Sequence, residues 1–200
     1  MPLLTSSDFA RIVADRTGYH PDKHFLPALT ATGILTDHGT GAHRRIDADE
    51  LAEFLTCYPY RPVLPFDYLQ VSLGPIGERT DPLYDVRSLP PTLFSRYAGY
   101  DHHNTAGLTA TERARAIVAV WKTGAAKAAE VVERGLPLIG VVKGVMTPET
   151  IYWPRAVIRL GDGYGFDVDV EHRGHDEIGT GAITTVRGGA PWELVRSTAR

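Results

Sequence analysis

The chain has a single cysteine, Cys57, in 200 residues. No intrachain disulfide can form, a cysteine-based zinc site is excluded, and a reducing cytoplasmic setting is the expectation. Uninterrupted apolar runs are also lacking. None approaches the length of roughly 18 residues needed to cross a bilayer, so no membrane partner is expected. The opening segment MPLLTSSDF has no basic region followed by a long apolar stretch, which argues against a secretory signal. A basic excess is missing too. The net charge is −3; residues 1–60 carry five Lys/Arg against eight Asp/Glu, and the remainder carries sixteen of each. Any polyanion bound by such a chain is held by a few placed cations and not by a basic tail. Hydrophobic residues make up 43% and charged residues 22%, the composition of a folded globular chain. There is no repeat and no low-complexity segment.

Punctuation by glycine and proline divides what remains. In residues 5–18, Thr5 or Ser6 supplies an N-cap. Phe9, Ile12 and Val13 form an apolar stripe at helical spacing, and Gly18 supplies a left-handed stop. A second helix is predicted over 21–33, with Pro21 in its first turn, Phe25, Leu26 and Leu29 on its buried face, Pro27 confining its length and Gly33 ending it. Ile34–Thr36 reads as a short strand, Asp37–Ala42 as a glycine-containing turn, and His43–Ile46 as the returning strand. Asp47 and Glu50 have capping-box spacing at the start of a third helix that buries Leu51, Phe54 and Leu55.

The stretch 58–66, with three prolines, is the expected linker between a domain at 1–57 and a second at 67–200. In the second, Tyr68–Leu73 alternates as a strand, and residues 74–107 read mostly as loop. One long helix is predicted from about Ala110 to Glu133. It is capped by Thr109 with Glu112, contains Gly124, and ends at Gly135 and Pro137. Strands are predicted at Pro137–Val142, Tyr152–Leu160, Tyr164–Val170 and Ala182–Val186, with Gly161-Asp162-Gly163 as a hairpin turn. That turn opens no helix, so it is not a nucleotide-binding loop, and no cofactor is expected. The fold class expected is α+β: a small winged helix-turn-helix followed by one long helix packed on a mainly antiparallel sheet.

The order helix, turn, helix, strand, turn, strand, helix resembles a winged helix-turn-helix. The residues Gly33-Ile34-Leu35, Gly41-Ala42-His43-Arg44-Arg45-Ile46 and Asp47-Ala48-Asp49-Glu50-Leu51 are similar to the wing of the MerR and excisionase-like families. The resemblance covers about a quarter of the chain. It implies a sequence-specific protein bound to double-stranded DNA, either a transcriptional regulator or a packaging or recombination factor of a phage or mobile element. Lys23 and His24 would then face the major groove and His43, Arg44 and Arg45 the backbone. Of the two arginines, one would reach phosphate and the other pair with Asp47 or Asp49. So small and so weakly charged a reader is expected to work as a homo-oligomer, joined through the 109–133 helix.

Two other classes compete. His102 and His103 in one loop, with His172, His175 and Asp176 in another, could assemble a metal site for a nucleic-acid enzyme. Alternatively, the C-terminal part could hold a small ligand as a sensor. Cys57 reads as a small buried residue, Asp167 and Asp169 as one face of a strand, and Trp121, Trp153 and Trp192 as packing anchors.

Overall fold

The computed structural model describes residues 2–41, 43–79, 96–118, 124–160, 163–170, 178, 181–184 and 192–197. The N-terminal part runs β1 (Leu3–Thr5), α1 (Ser6–Thr17), α2 (Phe25–Ala31), β2 (Arg45–Asp47) and α3 (Ala48–Cys57). Helix α1 begins where expected. The Thr5 side chain accepts from the Asp8 amide while the Asp8 carboxylate accepts from the Thr5 amide. Gly18 closes the helix at φ 75°, the left-handed conformation that glycine adopts freely. Helix α2 starts later than the sequence implies. The Asp22 side chain accepts from the His24 amide at 2.7 Å, a local bond that holds residues 22–24 in a turn. Pro27 then falls in the first turn of a seven-residue helix, where a missing N–H breaks no helical bond.

The strand expected at Ile34–Thr36 does not form. The Ile34 and Leu35 amides both return to the Leu29 carbonyl, at 2.9 and 3.3 Å, and both side chains enter the core. The Thr36 amide donates to Glu50 instead, at 2.7 Å. Strand β2 therefore pairs with β1, antiparallel, with Leu4 opposite Ile46. Residues 38–45 still close a narrow turn, through a Thr40–His43 bridge and the His38 amide bonded to the Arg45 carbonyl at 2.8 Å. At α3 the buried Asp47 carboxylate accepts from the amides of Asp49 and Glu50, the service expected of an N-cap. Glu50 does not complete the box, because its carboxylate is committed to Thr36.

The remaining elements are β3 (Tyr68–Ser72), β4 (Gly77–Glu78), β5 (Tyr97–Ala98), α4 (Ala110–Ile117), α5 (Ala125–Glu133), β6 (Leu138–Val142), β7 (Val145–Tyr152), β8 (Pro154–Leu160), β9 (Gly163–Val168), β10 (Ala182–Ile183) and β11 (Trp192–Val195). Five of them form a sheet in the order β10-β7-β6-β3-β11, in which only β3 and β6 run parallel. The class is thus α+β with a mainly antiparallel sheet. A parallel pair needs a crossover, and α4 and α5 lie within the connection that makes it.

The single helix expected over 110–133 is two helices. Gly124 adopts an extended conformation (φ −72°, ψ 141°) as the cap of α5, and residues 119–123 lie outside the described residues. Glycine in a helix interior costs about 1 kcal/mol relative to alanine, so the break falls where continuation is weakest. The inner faces of α4 and α5, including Ile117 and Val131, are buried in the chain's own core. Strand β7 is not among the expected strands, because residues 145–152 alternate poorly. It is joined to β6 by Lys143 and Gly144, both at positive φ, as a two-residue hairpin requires. The strand expected over 152–160 begins at Pro154 and pairs with β9, closing at Leu160 opposite Gly163.

The proline-containing stretch 58–66 is fastened to the sheet. The Arg61 amide donates to the Ile183 carbonyl at 2.8 Å, and Leu64 is buried. One hydrophobic cluster runs from Phe9, Phe25 and Ile46 to Leu69, Val142 and Ile183. Tyr19 packs on Tyr60 with ring centroids 5.4 Å apart, and the His102 amide donates to the Thr32 carbonyl at 2.9 Å.

Candidate functional site

Among the described residues, polar side chains gather around open space at a groove and at a pocket that hold residues singled out in the sequence. The groove, of about 300 Å³, lies between the start of α1 and the approach to α2, walled by Ser6, Phe9, Asp22, Lys23, Leu26 and Arg44 among others. Lys23 and His24 are exposed in the turn held by Asp22, and His43 is exposed at the tip of the 38–45 turn. Arg44 reaches back over α2. One of its terminal nitrogens donates to Thr30 Oγ1 at 2.8 Å and to Asp37 Oδ2 at 2.7 Å. The arginine partner is therefore Asp37, and neither Asp47 nor Asp49, both of which belong to the start of α3. Arg45 opens β2 opposite Thr5 and is not among the groove's lining residues.

Asp37 organises the turn. It accepts from the amides of Gly39 (2.9 Å) and Arg45 (3.1 Å) as well as from Arg44. Burial works to raise its pKa, but these donors prevail and hold the carboxyl below its ordinary value. At the other wall, Asp22 is met by Lys143 Nζ at 3.4 Å. Burial pushes its carboxyl up, and the His24 amide with Lys143 more than offsets it, so Asp22 too stays ionised at neutral pH. Three cations, Lys23, Arg44 and Lys143, thus stand against two carboxylates, Asp22 and Asp37, around the groove.

The pocket, of about 210 Å³, lies between α3 and the loop carrying His102 and His103. His102, on its wall, joins a hydrogen-bond network that lies outside the pocket lining. The hydroxyl of the buried Tyr100 donates to Glu149 Oε2 (3.2 Å), accepts from Thr147 Oγ1 (3.2 Å) and meets His102 Nδ1 at 2.9 Å. Arg113 lies 3.8 Å from the same Glu149 oxygen. Burial drives the Tyr100 pKa well up and keeps it protonated; burial, resisted by the Glu149 charge, lowers that of His102. Tyr58, on the pocket wall, is pushed up to about 12 chiefly by burial. Cys57 proves to be exposed at the rim and not a buried packing residue.

The structure brings His102 and His103 together, their ring centroids 5.2 Å apart. His172, His175 and Asp176, the other half of the expected metal site, lie outside the described residues, as does Trp121. Among the described residues no three of His, Cys, Asp and Glu gather as metal ligands. Asp169 forms an ion pair with Arg155 across the β8–β9 ribbon. No helix among the described residues is long and apolar enough to cross a membrane. Sequence reasoning missed Tyr100, Thr147, Glu149 and Arg113. They come from three distant segments, and only the dense Asp101–Asn104 run beside Tyr100 marked the place. Comparison with family models, curated proteins and solved structures finds no match.

Proposed function

We propose that the chain is a duplex-DNA-binding protein whose N-terminal unit, a winged-helix-like module, grips the phosphate backbone. The observation that carries this reading is the convergence of Lys23 and Arg44, far apart in sequence, on the walls of one groove, each next in the chain to an exposed histidine, His24 and His43. A guanidinium held by Thr30 and Asp37 is pre-oriented, so little of its rotamer freedom is lost when it meets a phosphate. Helix α2 itself has Phe25, Leu26 and Leu29 buried, and offers proline, alanine and threonine elsewhere. Base reading therefore rests on Lys23 and His24, and backbone contact dominates. Arg45 does not line this groove. The inner faces of α4 and α5 are buried in the chain's own core, so a homo-oligomer joined through these helices would use their exposed faces.

The test is fluorescence anisotropy of short labelled duplexes of unrelated sequence, titrated with the full chain at several salt concentrations. The expected result is binding to every duplex at low salt, with a log–log salt slope of about −2 to −3 for two or three phosphates neutralised. No binding at low ionic strength, or binding insensitive to salt, would overturn the reading.

A further inference from the structure

The turn between β6 and β7 carries a residue that its backbone does not favour. Lys143 and Gly144 are its two central residues, at φ 52° and 89°, and they let Val142 pair with Val145. A hairpin turn with two positive φ angles prefers asparagine, aspartate or glycine in the first place. Lysine there sits with its β-carbon crowded against the following carbonyl oxygen. The surrounding structure enforces the conformation. The Gly144 carbonyl accepts from both the amide (2.8 Å) and the hydroxyl (3.1 Å) of Thr184, which is buried just beyond β10. Backbone strain that is held in place by buried bonds collects at binding surfaces.

What lysine offers over asparagine at this turn is reach and charge. Lys143 Nζ stands 3.4 Å from Asp22 Oδ2, and Asp22 lines the groove with Lys23 and Arg44. The other Asp22 oxygen accepts from the His24 amide at 2.7 Å, so the carboxylate is fixed on its own side. Lys143 comes to it from 121 residues along the chain. As a tether the pair is weak. The Lys143 side chain is 38% exposed and that of Asp22 60%, and an ion pair so open to water contributes little to stability. It is therefore readily exchanged for another anion.

We infer that Lys143 is a third phosphate contact of the DNA-binding surface, delivered by the β6–β7 hairpin, and that Asp22 holds it beside the groove in the free protein and yields it to the duplex backbone. The inference rests on the DNA reading above and extends it, because the duplex is then gripped by the sheet as well as by the N-terminal unit. An ammonium is a compact charge with three rotatable donors, suited to a backbone oxygen of any sequence. Once Lys143 has moved to phosphate, Asp22 is left as a like charge facing the duplex, and it limits affinity.

The test is the duplex titration of the full chain at several salt concentrations, repeated with Lys143→Asn, Asp22→Asn and Lys127→Gln. Asparagine accepts the left-handed conformation and removes the charge. Lys143→Asn is therefore expected to melt no lower than the parent while the log–log slope falls in magnitude by about one. Asp22→Asn keeps an acceptor for the His24 amide and is expected to tighten binding at low salt by at least about threefold. Lys127→Gln removes an equal charge from α5, where Lys127 lies 5.2 Å from the Trp192 ring beside the edge strand β11, and is expected to keep the parent slope. A full parent slope in Lys143→Asn, an equal fall in Lys127→Gln, or no tightening in Asp22→Asn would overturn the inference and leave the DNA reading standing. A parent chain that binds no duplex, or binds it without salt dependence, would overturn both.

Discussion

Phe25→Ala is expected to destabilise the protein by about 3–5 kcal/mol, the range for emptying a fully buried phenylalanine site. The ring is 0% exposed and lies among Phe9 (centroids 6.2 Å apart) and Tyr19 (5.2 Å), and Tyr19 in turn packs on Tyr60 beside the sheet. A typical domain has only about 5–15 kcal/mol in total, so the loss is a large share. It should also be felt far from the mutation. Trp121, Trp153 and Trp192 all lie beyond residue 66, so tryptophan fluorescence reports on the C-terminal part alone. The hydrophobic cluster is continuous from Phe9 to Ile183. Fluorescence and far-ultraviolet dichroism will therefore show one coincident transition, shifted together to lower temperature. A fluorescence transition that stays in place while part of the dichroism melts early would show that the two parts are energetically separate.

Gly39→Ala is the second large effect. A β-carbon at this position would collide with the His43 backbone carbonyl oxygen, and backbone on both sides of a narrow turn cannot yield cheaply. Overpacking of this kind costs about 1–3 kcal/mol. Here the strain is relieved by opening the turn, which separates Asp37 from Arg44 and releases the guanidinium from Thr30. The amide protons of His38 and His43 are bonded to the Arg45 and Thr40 carbonyls. They are expected to exchange at least about tenfold faster in the variant, with exchange at β6 unchanged. Gly41→Ala meets nothing within 4 Å but is strained by its left-handed φ of 60°, so it measures that backbone cost, about 1–2 kcal/mol, apart from the steric clash at Gly39. Unchanged exchange at His38 and His43 in Gly39→Ala would show that the turn is not closed as described.

Residues whose local chemistry has one solution were readable in the sequence. Asp47 before α3, Thr109 with Glu112 and Gly18 after α1 satisfy the helix-end groups expected of them, and of the two cap candidates Thr5 and Ser6 the structure uses Thr5, with Asp8 as its partner. The partner of β2 was not readable. Ile34 and Leu35 have strand propensity. Yet their amides are taken by the Leu29 carbonyl, and only the tertiary fold shows that Leu3–Thr5 is the edge that β2 completes. Gly124 carried the signal that divided the long helix, outweighed in the sequence by the regular apolar spacing on either side of it. For the site, Lys23, His43, Arg44 and His102 were visible as residues. Their partners were not, because Asp37, Glu149 and Tyr100 are joined to them by folding and not by spacing.

The groove of Lys23 and Arg44 is the centre of the functional account, and one comparison tests it directly. Lys23→Ala and Arg45→Ala each remove one positive charge from the N-terminal unit, but Lys23 lines the groove and Arg45 does not. Duplex titrations at several salt concentrations should show the log–log slope of Lys23→Ala reduced in magnitude by about one, with affinity lowered for all sequences alike. Arg45→Ala should retain the parent slope. A Lys23→Ala protein that remains folded and keeps the full parent slope would contradict the assignment of the groove as the DNA-contacting surface.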